Sequence, residues 1–163
     1  DYYVHDHGKF YNKLVVPFRF RNFIIGWQTI DISGKYNPYK YGNDNMLYLP
    51  DGEIPKEPLI VEGVFDAKSI PDGVGTLQST ISKKQAYQLR NSKPIFVPDR
   101  KGSRFLADAK RYGWRISIPQ WKEKDPNAAL EKYGKLVVAQ MIYDGIMESY
   151  AKAEMVYELW RIK

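Results

Sequence analysis

The chain has 163 residues, 44% hydrophobic and 27% charged, which suits one well-buried globular domain with a small appendage and excludes a disordered chain. A formal net charge of +6 and a pI near 9.3 favour a polyanionic partner, because each phosphate a protein neutralises releases counterions. With no cysteine, disulfides and thiolate zinc sites are excluded within these residues, and no apolar run approaches the roughly 20 residues of a membrane-spanning helix.

The opening segment, Asp1-Tyr2-Tyr3-Val4-His5-Asp6, has neither the basic start nor the apolar stretch of a secretory signal, so a cytoplasmic protein is expected. The missing initial methionine points to a fragment or a processed product. His5 and His7 form a His-x-His pair that can bind metal, yet read better as part of a solvated tail. Leu14 to Phe18 and Phe23 to Ile30 are two predicted strands, joined as a hairpin by the polar residues 19–22. From Asp31 to Asp51 the composition turns to Gly, Asn, Pro and Tyr, which is loop chemistry. Pro50-Asp51-Gly52 and Pro55 then close a strand-rich N-terminal unit near residue 56.

Strands and helices alternate thereafter. Leu59-Ile60-Val61 reads as a buried parallel strand, followed by a short helix from Phe65 stopped by Pro71. Val74 to Leu77 is a second strand, and Ser82 with Gln85 has the spacing of a capping box. Ile95 to Val97 is a third strand; a helix from Gly102 closes at Gly113; Trp114 to Ile118 is a fourth strand. Asp125 and Pro126 begin another helix as its cap and first residue. This order predicts an α/β fold with a parallel sheet flanked by helices across 57–134, and C-terminal helices over 135–163. Met141, Met147, Met155 and Trp160 are a candidate docking face there, although packing on the sheet is the expected role.

In open parallel sheets, ligands gather at the carboxyl ends of the strands. Glu62 directly follows the first of these strands, with Asp66 four residues on; Asp99 follows the third, and Asp125 follows the fourth. Any one such acid is ordinarily a helix cap. Together, arranged by strand order, they would repel one another unless a divalent cation intervened, and oxygen-only ligands favour Mg²⁺ or Mn²⁺.

Val61-Glu62-Gly63-Val64-Phe65-Asp66-Ala67 resembles the first motif of the TOPRIM domain of bacterial-type DNA primases. Val97-Pro98-Asp99-Arg100-Lys101-Gly102 resembles its second motif, and Lys124-Asp125-Pro126-Asn127 the element that follows the next strand. Upstream, the Tyr11 to Phe18 segment, Gly26-Trp27 and Lys35-Tyr36-Asn37-Pro38 keep the family's order. Thr80-Ile81-Ser82, Gly113-Trp114 and Lys132 to Leu136 are most similar to phage-encoded primase-like proteins.

The resemblance implies a metal-dependent nucleotidyltransferase that makes short RNA primers on single-stranded DNA from ribonucleoside triphosphates. Glu62 and Asp99 would be catalytic. Glu62, Asp66, Asp99 and Asp125 would hold Mg²⁺ or Mn²⁺. Lys13 would contact template or primer phosphate, and Lys35 and Asn37 would lie beside the nucleotide. Lys101 stands where the family's Asp-x-Asp pair has its second acid, and would either clamp phosphate or mark a site that has lost a metal. A replicative helicase or a separate zinc-binding module are the implied protein partners, with no membrane involved. The alternatives are a catalytically degenerate module that binds DNA or a replication partner, and a metal-dependent nuclease.

Overall fold

The computed structural model describes residues 3–5, 8–33, 39–42, 45–100 and 104–162. Lys35, Asn37, Lys101 and His7 lie outside the described residues. The N-terminal part is an antiparallel sheet of four strands in the order β1-β2-β3-β4: β1 (Tyr3–His5), β2 (Lys13–Phe20), β3 (Phe23–Asp31) and β4 (Lys40–Tyr41). The predicted hairpin is β2–β3, turning at Arg21, whose N–H is held by the Gly52 carbonyl at 2.8 Å. One expectation changes. The segment read as a solvated tail contributes β1, with Tyr3 opposite Val15 and Val4 opposite Leu14, although both Tyr3 and Val4 stay exposed. Three residues carry too little periodicity to show this in sequence.

The second sheet is parallel, in the order β6-β5-β7-β8, from β5 (Leu59–Val61), β6 (Gly73–Gly75), β7 (Ile95–Phe96) and β8 (Arg115–Ile116). Its central strands β5 and β7 are completely buried, as continuous apolar runs require. Helices α1 (Val64–Ser69), α2 (Lys83–Gln88) and α3 (Phe105–Tyr112) form the crossovers, and α4 (Pro126–Tyr133) follows β8. Their ends obey local rules. Ile70 before Pro71 is extended and stops α1. Ser82 and Gln85 close the reciprocal capping box of α2. Gly113 ends α3 with φ at 67°. Asp125 caps α4 through the Ala128 N–H at 2.8 Å, with Pro126 at the first position.

The C-terminal helices α5 (Lys135–Asp144) and α6 (Tyr150–Ile162) pack back on the parallel sheet. Trp160 is buried, and its indole N–H donates to the Trp121 carbonyl at 2.6 Å. Met141 and Met147 are partly buried against the core, while Met155 is exposed. None of the described helices is long and apolar enough to cross a membrane.

One apolar core runs through both sheets, from Val16 and Phe18 through Leu47, Tyr48 and Leu49 to β5 and β7. Tyr48 and Gly75 exchange backbone hydrogen bonds of 2.8 and 2.9 Å, and Gln85 donates to the carbonyls of Met46 and Thr76. These ties place one face of the antiparallel sheet over the carboxyl edge of the parallel one.

Candidate active site

The chain leaves β5 toward β6 on one side, then crosses to β7 on the other, so the direction of winding reverses between β5 and β7. That reversal opens a crevice at the carboxyl ends of the two strands. A cavity of about 340 Å³ occupies it, lined by Glu62, Gly63, Asp66 and Asp99 from the parallel sheet, and by Gln28 and Lys40 from the antiparallel one. Val64, Leu77, Gln78 and Ser79 complete the wall. Three of the four sequence-predicted acids therefore meet in one pocket.

Glu62 directly follows β5 and is half-buried. Gly63 follows because a side chain there has no room: a Cβ would sit 2.5 Å from the Asp66 carboxylate. Asp66, buried in α1, accepts the Asn127 N–H at 3.1 Å, at the start of α4. Burial, then the charge of Asp125, push its carboxyl up to about 6, against hydrogen bonds from the Asn127 and Gly63 backbone and with a further push from Glu62. Asp99, after β7, is pushed up to about 8 by burial and by the charges of Asp66, Glu62 and Asp125, with Lys124 opposing. Its Oδ1 is buried with no hydrogen-bond partner.

The loop carrying Asp99 is pinned by the C-terminal helix. The Tyr157 hydroxyl donates to the Asp99 carbonyl at 3.0 Å, and Arg100 donates to the carbonyls of Trp160 and Lys122. Asp125 stands at the flank rather than in the cavity wall. One of its oxygens caps α4 and the other pairs with Lys124 at 3.1 Å. Among the described residues, no three acidic or histidine side chains stand close enough together to form a closed ligand set.

Lys13 is placed elsewhere. It is buried in β2, pairs with Asp31 at 3.0 Å and lies 5.4 Å from the Tyr39 ring, and is not among the cavity residues. Lys40 is the basic residue that sequence reasoning passed over. It stands directly opposite Gln28 in the β3–β4 pair, so both side chains leave the same face, and its ammonium donates to the Leu77 carbonyl at 3.2 Å. Its only signal was a second lysine in the tyrosine-rich loop, and selecting it required the strand register.

No family model matches the chain, and no curated protein matches its sequence. Solved structures do. The Aquifex aeolicus primase fragment with zinc-binding and RNA polymerase domains is similar over 86% of this chain, with a TM-score of 0.64 and 18% identity. The RNA polymerase domain of Mycobacterium tuberculosis primase DnaG is similar over 87%, with a TM-score of 0.65 and 14% identity. The primase fragment of the bacteriophage T7 primase-helicase is similar over 82%, at 0.63 and 15%. The fold is primase-like. The chain spans 42%, 59% and 62% of those three structures, so the likeness is to part of each. Both halves of the primase-like architecture, the antiparallel N-terminal sheet and the helix-flanked parallel sheet, are present here.

Proposed function

We propose that the chain is the core of a primase-type RNA polymerase, joining ribonucleotides into short primers on single-stranded DNA. The observation that carries this is the gathering of Glu62, Asp66 and Asp99 in one pocket at the reversal point of the parallel sheet, facing Lys40. In this reading residues 57–134 are a TOPRIM domain and 1–56 its N-terminal partner in a polymerase core.

The donor chemistry fits a hard divalent cation. All the charged donors are carboxylate oxygens, burial and then their mutual repulsion raise Asp66 and Asp99, and one buried oxygen of Asp99 lacks a partner. Glu62, Asp66 and Asp99, with Asp125 at the flank, would hold Mg²⁺ or Mn²⁺, which when bound supplies positive charge to a triphosphate. The chain's own groups do the positioning. Lys40 offers a fixed cation to phosphate from the opposite wall, and Gln28 offers an amide toward the nucleotide. Gly63 leaves room for the Asp66 carboxylate to lie against the backbone beside Glu62. Lys35, Asn37 and Lys101 would add contacts to nucleotide and phosphate, and Lys13 would orient the sheet through Asp31. A helicase or a zinc-binding module would be supplied by another part of the assembly.

The experiment supplies Mg²⁺ or Mn²⁺, ribonucleoside triphosphates and mixed single-stranded templates, and resolves products on a sequencing gel. Short oligomers made by the chain and lost in Glu62→Gln support the reading; no product on any template removes it.

A second reading has its own support. Asp125 is already paired with Lys124, and the described carboxylates do not form a closed ligand set. A degenerate module that binds single-stranded DNA without catalysis would show salt-dependent binding in EDTA that survives Glu62→Gln, with no product.

A further inference from the structure

The antiparallel sheet is two-sided at its edge. Adjacent residues on a strand point to opposite faces, and residues opposite one another across a pair share a face. The pair Gln28 and Lys40 therefore faces the acidic pocket, and the next pair, Trp27 and Tyr41, faces away from it. On that outer face Trp27 and Tyr41 stack, with ring centres 6.1 Å apart and planes 18° from parallel. Phe10 meets Trp27 edge-on at 5.4 Å and Tyr39 edge-on at 5.7 Å. Tyr3, Phe10, Val15 and Trp27 line an open, almost wholly apolar pocket of about 300 Å³. The Lys9 ammonium lies 4.8 Å from the centre of the Tyr39 ring, which in turn meets Phe10.

This cluster stands apart from the sheet's main core, which lies on the other face with Val16 and Phe18. Tyr3 is 53% exposed and Tyr41 67% exposed. Aromatic walls at this spacing with a lysine nearby match an unpaired nucleobase and its phosphate: every base offers a π face, and the phosphate meets the lysine. A net charge of +6 supplies complementarity to a polyanion, which an ordinary peptide partner lacks. The strand β4 that separates the two faces is only two residues long, exposed, and lies at the sheet's edge.

We infer that the outer face of the antiparallel sheet is a stacking site for single-stranded nucleic acid, with Tyr3, Trp27 and Tyr41 as base platforms and Lys9 at the phosphate. A strand crossing over β4 passes from this site to the acidic pocket within the width of one strand. The inference rests on the reading of the chain as one that handles single strands, but not on catalysis, since stacking needs neither a divalent ion nor a triphosphate.

The test measures binding of fluorescently labelled single-stranded DNA in EDTA, without nucleotides, for wild type, Tyr3→Ala, Tyr41→Ala and a control, Tyr87→Ala, at another exposed tyrosine on α2. Loss of one stacking partner should weaken binding by about fivefold to a hundredfold. The control should remain within about twofold, and an abasic oligomer of equal length should lose a comparable increment. Oligonucleotide should quench tryptophan fluorescence, and Trp27→Phe should remove that quench.

Unchanged binding in Tyr3→Ala and Tyr41→Ala, or equal binding of the abasic oligomer, would overturn the site while leaving primer synthesis to be judged by its own assay. So would self-association of the chain that the same substitutions disrupt, which would make the face a contact between copies. Both tyrosines are exposed, so the variants should fold; circular dichroism of each confirms that the binding change is local.

Discussion

Two aspartates, one on each sheet, meet opposite fates. Asp31 at the end of β3 is held at about 2, chiefly by the Ser33 hydroxyl and then by the Lys13 ammonium. Asp99 after β7 is pushed up to about 8 by burial and by three neighbouring acids. The antiparallel sheet pairs its aspartate with a buried lysine of its own, at 3.0 Å. The parallel sheet gathers carboxylates at its carboxyl edge and leaves one oxygen of Asp99 buried with no hydrogen bond. Acidity by itself therefore marks no site; acidity that the fold leaves uncompensated does, because holding repelling carboxylates together is costly unless something bound to them carries positive charge.

The largest effect expected from breaking this contrast is on activity. Glu62→Gln should lower primer synthesis by roughly a hundredfold or more, whereas Asp31→Asn should leave the rate per folded molecule within about twofold. Equal losses in both variants would erase the distinction between the two carboxylate settings.

Stability should move in the opposite sense. Because the folded-state value of Asp99 lies above its unfolded one, the native state keeps a proton that the unfolded chain releases, and stability falls as pH rises from about 4 to about 8. Asp99→Asn should therefore raise stability at pH 8 by roughly 2 kcal/mol, or about 4–8 °C in Tm, and change little at pH 4. Thermal melts at the two pH values check this in the absence of divalent ions.

Asp31 works the other way round. Its depressed value stabilises the fold above the unfolded carboxylate value of about 4, and that contribution is lost as pH falls toward 2. Asp31→Asn should lower the melting midpoint at pH 6 and leave it nearly unchanged at pH 2. The smallest effect belongs to a residue outside both settings: Ser82→Ala, which opens the capping box of α2, should cost about 1 kcal/mol with no change in synthesis rate.

Local chemistry made much of this legible from sequence. The Ser82 and Gln85 box, the Asp125-Pro126 start and the Gly113 stop depend on neighbours a few residues apart, and each element lies where those signals put it. Strand order then put Glu62, Asp66 and Asp99 in one crevice, since a parallel α/β sheet has a single carboxyl edge. What sequence left hidden depends on long-range pairing. Lys40 joins the pocket because it registers with Gln28, and Trp27 and Tyr41 stack because the next pair falls on the other face. The burial of Lys13 against Asp31 likewise requires the β2–β3 register, which places the two residues directly opposite each other. Asp125 looked equivalent to the other acids by position, yet its double role as helix cap and partner of Lys124 sets it at the flank.

The most direct test of the central claim is a Mn²⁺ titration followed by electron paramagnetic resonance, comparing wild type with Glu62→Gln, Asp99→Asn and Asp31→Asn near pH 8. Saturable binding in wild type and Asp31→Asn, weakened at least tenfold in Glu62→Gln and Asp99→Asn, is the predicted result. Absence of saturable binding, or equal binding in all four proteins, would contradict the assignment of the uncompensated carboxylates to a divalent cation.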